Sequence, residues 1–444
     1  MTSPPNNRYV QRAQFTEEQL QVFLGALEAK FAVIGGVPGA GRTSLALELV
    51  VESINRGADP DGVILLTPSR LGATRLRQVL AQRAGRTTGG ALARTPAALA
   101  HGILRARAGL EGEPPPVLVS GPEQDTLIAD LLGGHLAGFG VQVDWSVPKE
   151  VLPLAAFRHE LREFYARLAE RGVSSEDLAE LAGEAQQPHW KMVAALYREY
   201  LDVLQFSTLT ADRGQRFDSA AVLAGAVATL HSWPQDMPGS RPHWDVVVAD
   251  DFQEANEAYW QLLNQLREAG TQVIVLGQPD TAVETYRGAL PRIFAQAGRD
   301  AGDNYFDLRK NLRQSTELAE VTAQVSAQIA TRHQPVPERP QITSSAQKSV
   351  VEAAILDSRA TQTRYIAAEL RRRHLLEGRD WSQMAVIVRA SQDVVSLSQD
   401  LARQEIPVQA AGIQLALRDE PLVKPFLAVV ELALSLGAEE EVPA

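Results

Sequence analysis

Four short apolar runs stand out along the chain: FAVIGG at 31–36, DGVILLT at 61–67, WDVVVAD at 244–250 and TQVIVLG at 271–277. Each is aliphatic or β-branched and ends near Gly, Thr or Asp. Stretches with apolar residues at three-to-four spacing lie between them, such as SLALELVVESINRG and LGATRLRQVLAQRAG. Near-continuous apolar strands alternating with helices predict a parallel sheet covered on both faces. From about residue 123 to 206 the pattern changes. LREFYARLAERG and WKMVAALYREYLDVL carry helical periodicity with no strand signal, which predicts a helical insertion into the sheet domain. The run MAVIVRA at 384–390 predicts a strand of a second sheet. Pro-containing stretches at 232–244 and 332–341 read as connections.

Composition narrows the class. Of 444 residues, 45% are hydrophobic and 22% charged, which fits globular domains and excludes global disorder. There is no cysteine, so disulfides, thiol catalysis and cysteine-held zinc are excluded. No run approaches the length of a membrane span, and a cytoplasmic location without membrane partners is expected. The net charge is −11, yet residues 68–107 hold eight Arg and no Lys, Asp or Glu. Such a run suits phosphate neutralisation on a nucleic acid; it also suits a solvated helix face. The eight histidines form no metal-binding or nucleophile-activating pattern.

Two motifs carry chemistry. After the first run comes Gly36-Val37-Pro38-Gly39-Ala40-Gly41-Arg42-Thr43, then a helix. Glycines there let backbone N–H groups surround phosphate oxygens, and Thr43 stands where a hydroxyl reaches Mg²⁺. Arg42 occupies the position of the usual Lys, and its planar fork is not equivalent to a compact ammonium. The alternative is a Gly-rich turn without a ligand. At the end of the third run, Asp250 and Asp251 lie where ligands of parallel sheets bind. In phosphoryl-transfer ATPases one such acid holds Mg²⁺ and its neighbour orients the attacking water; alone, the pair also fits a helix cap.

The order of motifs resembles the superfamily 1 DNA helicases of the UvrD/Rep type, over essentially the whole chain. Phe15-Thr16-Glu17-Glu18-Gln19 is similar to the family's adenine-reading segment. Thr67-Pro68-Ser69-Arg70 and Arg94-Thr95-Pro96 stand at its early DNA-contacting motifs. Gly277-Gln278-Pro279-Asp280 through Tyr286-Arg287-Gly288-Ala289 is similar to its third motif, and Asn311-Leu312-Arg313-Gln314-Ser315 to its fourth. The resemblance implies a RecA-like P-loop domain at 1–110 and 207–290, a helical insertion at 111–206, and an incomplete second RecA-like domain at 291–444. It implies ATP with Mg²⁺ as cofactors. Gln19, Gly36, Gly39, Gly41, Arg42, Thr43, Thr281 and Arg313 would contact nucleotide, with Thr43 and Asp250 on the metal and Asp251 and Arg313 catalytic. DNA, single- or double-stranded and without sequence preference, would meet Thr67, Arg70, Arg94, Thr95, Tyr286 and Arg287.

The departures are informative. Asp251 replaces the family's Glu, Thr281 its γ-phosphate Gln, Gln278 an acid and Glu284 an aromatic residue; Thr95-Pro96-Ala97 shortens a Ser/Thr-Phe-His pattern. A displacement of about 1 Å at such positions costs about a hundredfold in rate. This weakening resembles the less active motor subunit, the AdnA type, of the actinobacterial helicase–nuclease AdnAB. A paralogous partner subunit is then expected, with a role in double-strand break repair. The family's later motifs are not found before residue 444, so a fragment or truncated product is expected. Three functions stay open: a helicase motor, a non-hydrolysing DNA- and partner-binding relative, and a P-loop kinase.

Overall fold

The computed structural model describes residues 9, 11–85, 90–206, 214–233, 241–329, 343–345, 349–409 and 425–430. The Pro-rich stretch at 332–341 and Arg86 lie outside the described residues. Two compact units divide the chain, Met1–Val350 and Val351–Ala444.

In the first unit, α1 (Glu17–Glu28) precedes β1 (Phe31–Gly36), α2 (Arg42–Asn55), β2 (Val63–Leu66), α3 (Arg70–Ala84), β3 (Ala93–Arg94) and α4 (Pro96–Glu111). The short β4 (Val117–Leu118) leads into α5 (Gly121–Leu136), α6 (Ala155–Arg171), α7 (Ser175–Glu184) and α8 (Pro188–Phe206), and β5 (Arg216–Phe217) leads out. Then come α9 (Ala221–His231), β6 (Val246–Ala249), α10 (Glu257–Glu268), β7 (Gln272–Gly277), α11 (Pro291–Ala301) and β8 (Tyr305–Leu308). β9 (Lys310–Ser315), α12 (Thr316–Gln328) and β10 (Thr343–Ser345) end the unit.

The main sheet runs β3-β2-β6-β7-β1-β8, with every pairing parallel. All four expected strands are in it, as a RecA-like core requires. Side chains alternate between its faces with period two. Val33, Ile64, Leu66, Val247 and Val275 pack under α4, α9, α10 and α11. Ala32, Ile34, Leu65, Val248 and Leu276 pack under α1, α2 and α3. Strands buried on both faces read as continuous apolar runs, which is why the sequence pattern found them.

The insertion has its own core. Tyr165 stacks on Tyr200 at 5.1 Å and lies 5.0 Å from Tyr197, among Leu132, Leu161, Leu178 and Leu196. Its entrance and exit are tied together, since β4 pairs with β5 in parallel and Arg216 forms an ion pair with Glu123.

Two features differ from expectation. The sheet domain does not stop at residue 290: β8 pairs with β1, and the unit continues to Val350. β8 was missed because Tyr305–Leu308 has polar neighbours and only one neighbouring strand, so it lacks the two-faced apolar signature. Second, 384–388 is not a paired strand, and Ile387 is 93% exposed. A strand needs a ladder partner for its backbone groups, and none pairs there among the described residues. The second unit instead packs α13 (Arg359–Glu377) on α14 (Ser391–Arg403) through Ala367, Leu401 and Ile406.

Candidate functional site

The loop after β1 turns twice through left-handed backbone, with φ +83° at Gly39 and +91° at Gly41. Side chains are excluded there for a second reason. A Cβ on Gly39 would lie 2.5 Å from Asn311 Oδ1, and one on Gly41 2.6 Å from Gln19 Nε2. α2 begins at Arg42, so its first N–H groups face the loop.

Gln19 reaches this loop from α1. Its Nε2 donates to the Ala40 carbonyl at 2.9 Å, while its Oε1 accepts from Thr16 N–H at 3.0 Å as half of a capping box. It is buried, so the side chain ties α1 to the loop. On the other side, Leu312 N–H donates to Gly39 O at 3.1 Å. Asn311, also buried, accepts from the N–H groups of Arg313 (2.9 Å) and Gln314 (3.0 Å). Arg313 thus sits beside the phosphate loop with its side chain exposed. It does so from β9 of the first unit, not from a second domain as expected, because β9 is bonded directly to the loop.

Asp250 follows β6, with the Thr43 hydroxyl near enough to favour its charged form. Its Oδ1 is buried without a partner. Burial first, then Asp251, pushes its pKa up to about 6, against Thr43 and Arg42. Arg42 turns back: Nη1 donates to the Gly36 carbonyl, and Nε is buried and unpartnered. Burial lowers its pKa, opposed by Asp250 and Asp251. Orphaned polar atoms on an acid and a base, beside a glycine cradle, fit a Mg²⁺–polyphosphate. No group of three or more acidic or His residues among the described residues could hold a metal alone, so Thr43 and Asp250 would share Mg²⁺ with phosphate and water.

Asp251 adopts φ +52° and starts a single helical turn, Phe252–Glu254, accepting from Gln253 Nε2 at 3.2 Å. Sequence reading passed over the next two residues. Gln253 Oε1 accepts from Gln278 N–H at 3.1 Å, joining the ends of β6 and β7. Glu254 accepts from the N–H groups of Val283 and Glu284, both at 2.9 Å. Thr281 donates its hydroxyl to Gln278 O at 2.8 Å. The Asp251 turn and the 278–288 segment are therefore one bonded assembly. Tyr286 at its end is 64% exposed, with the Arg287 guanidinium 5.3 Å from its ring and Arg287 3.5 Å from Glu284. An open ring with a cation beside it is not a packing residue.

The Arg run divides by role. Arg83 pairs with Glu48, Arg107 pairs with Glu111 and lies over Trp233, and half-buried Arg94 donates to Ala91 O at 3.1 Å. Arg77 donates to Ala93 O at 3.2 Å. Arg70, Arg75 and Arg105 are exposed. Thr67 is buried at the end of β2, and Thr95 caps α4 by accepting from Ala98 N–H at 3.2 Å.

The UvrD/REP helicase N-terminal domain matches residues 15–302. The ATP-dependent DNA helicase UvrD1 of Mycobacterium tuberculosis and that of Mycobacterium bovis are each 25% identical over 269 residues, 58% of this chain and 32% of theirs. The RecBCD enzyme subunit RecB of Mycolicibacterium smegmatis is 26% identical over 73 residues, 16% of this chain and 7% of its own. The chain thus spans about a third of the length of UvrD1. The solved structure of VirB4 of Thermoanaerobacter pseudethanolicus aligns at 16% identity over 70% of this chain and 84% of that one, with a TM-score of 0.23, too low to bear on the fold.

Proposed function

The chain belongs to the UvrD/REP helicase family, and we propose that it is the N-terminal motor region of an ATP-dependent DNA helicase or translocase. The carrying observation is buried Asp250, its Oδ1 without a partner and its charged form favoured by Thr43 and Arg42 at the end of the left-handed glycine loop. The phosphate-binding turn and the metal-binding acid then adjoin one another. Backbone N–H groups of the loop and the start of α2 bind phosphate, Thr43 and Asp250 hold Mg²⁺, and Arg313 lies beside the loop for the terminal phosphate. When bound, Mg²⁺ would supply neutralisation of charge on the phosphates. Asp251 orients water, and Gln253 and Glu254 connect that acid to the Tyr286 segment. A nonspecific single strand runs over Arg70, with Tyr286 stacking on a base.

A second reading has its own support. Arg42 is folded onto Gly36 and lies under two carboxylates, so the cation that should reach between phosphates is engaged with the protein. This favours a subunit that binds nucleotide and DNA but hydrolyses weakly. It would work beside a paralogous motor in a cytoplasmic helicase–nuclease of the AdnAB type. Binding of a fluorescent ATP analogue with and without Mg²⁺, followed by DNA-stimulated phosphate release, tests both readings. Absence of binding under either condition refutes the nucleotide site. Rapid DNA-stimulated turnover refutes the weak subunit.

A further inference from the structure

A polar cluster away from the nucleotide joins the helical insertion to the sheet domain. Near the end of α6, the Glu170 carboxylate is almost buried and accepts from Arg167 Nη2 at 2.8 Å. The side chain of Asn256, which caps α10 just after the Asp251 turn, also favours its charged form. Arg167 Nε is buried with no partner. Across from this pair lies Gly288, at φ +93°. A Cβ there would collide with the Glu170 carboxylate and lie 2.5 Å from Arg167 Nη1. The backbone of the Tyr286-Arg287-Gly288 turn is therefore seated directly on two charged side chains of the insertion.

We propose that Arg167 and Glu170 form a latch by which the helical insertion positions the 284–288 turn, and with it Tyr286 and Arg287. Glu170 is a positioning residue: it lies against the turn at Gly288 and acts through it. The consequence for DNA rests on the function proposed above; the latch itself does not. The solvent-facing turn is thereby anchored at both ends. Glu254 holds its start through Val283 and Glu284, and the latch holds its finish at Gly288.

The latch is sensitive to protonation. Burial raises the pKa of Glu170 to about 7, opposed by Arg167 and Asn256, with Glu163 raising it further and Arg171 lowering it. Of the charged residues on the surrounding elements, Asp130 of α5 and Glu268 of α10 are exposed, Arg267 of α10 lies over Phe31, and Glu123 and His135 of α5 pair with Arg216 and Glu199. Glu257 of α10 pairs with Arg292, Glu284 of the turn with Arg287, and Asp125 of α5 with Arg158. The only titratable residue of α9 is His231, at its last position. When the latch opens, Glu170 meets water and its pKa falls toward 4.5. The closed form therefore holds the proton more tightly, and raising the pH through about 7 favours the open form.

Amide hydrogen exchange on the full chain without DNA reads this directly. The N–H groups of Arg287, Gly288 and Ala289 donate within the turn to Glu284 and Thr285 carbonyls and serve as reporters. Their protection factors in the wild-type chain should fall between pH 6 and pH 8. In Glu170→Gln, which keeps shape without charge, they should stay level. In Glu170→Ala they should drop about tenfold at pH 6, as loss of a charged hydrogen bond predicts, while exposed Glu160→Gln changes nothing. If Glu170→Ala does not fold, the pH series of wild type against Glu170→Gln decides. Protection independent of pH in the wild-type chain overturns the latch. Affinity for a labelled oligothymidine should follow protection. Altered protection at constant affinity leaves the latch standing and refutes Tyr286 as a DNA contact.

Discussion

Arg83 of α3 and Glu48 of α2 lie 2.6 Å apart with side chains only 8% and 11% exposed. Arg83 also donates to the Tyr9 carbonyl at 2.6 Å. This arginine, one of eight in an apparently continuous basic run, is a structural element between two helices. Arg83→Ala should destabilise the fold by about 3–5 kcal/mol, the cost of stranding a buried charge. It should leave the salt dependence of DNA binding unchanged. Chemical denaturation and salt-titrated binding of the same variant check both halves.

The exposed arginines behave oppositely. Each phosphate contact adds about −0.7 to the slope of log affinity against log salt for single strands. Replacing Arg70 and Arg75 together should flatten the slope by about 1.4 units, with stability hardly altered. Tyr286→Ala should weaken binding by about 1–3 kcal/mol at every salt concentration and leave the slope intact, because stacking releases no counterions. Fluorescence anisotropy of a labelled oligonucleotide separates the two effects.

At the nucleotide site, Thr43→Ala and Asp250→Asn should each abolish the Mg²⁺-dependent part of nucleotide affinity. Binding through the loop backbone, measured without metal, should persist. Equal losses with and without Mg²⁺ would show that neither residue serves the ion.

Arg42→Lys tests the weak-hydrolysis reading. A Lys lacks the fork that holds the Gly36 carbonyl, and it offers a compact ammonium to the phosphates. Nucleotide affinity should rise by about tenfold if one charge-assisted contact is restored. Calorimetric titration of both forms measures it; unchanged or lower affinity counts against the reading.

Stability should also depend on pH through Glu170. Its folded-state pKa is raised from 4.5 to about 7. Its contribution is therefore full below pH 4.5 and is lost as the pH climbs toward 7. Relative to Glu170→Gln, the wild-type melting temperature should fall across that window and level off above it. Parallel thermal melts at several pH values supply the comparison.

Buried parallel strands and glycine turns were legible from the residues alone, because burial on both faces and positive φ restrict residue types locally. The phosphate loop, the Asp250 strand end and the insertion were read this way. What depends on encounters between distant residues was not. No local pattern separates Arg83, paired across α2 and α3, from exposed Arg70, since both are arginines on one helix. Nor does the sequence show that MAVIVRA lacks a ladder partner, that β9 bonds to Gly39, or that Glu170 in an amphipathic helix meets Gly288, which lies beyond two further helices of the insertion and three strands of the chain. Periodicity records whether a side chain faces a core. Which charge it meets there is decided only when the chain closes on itself.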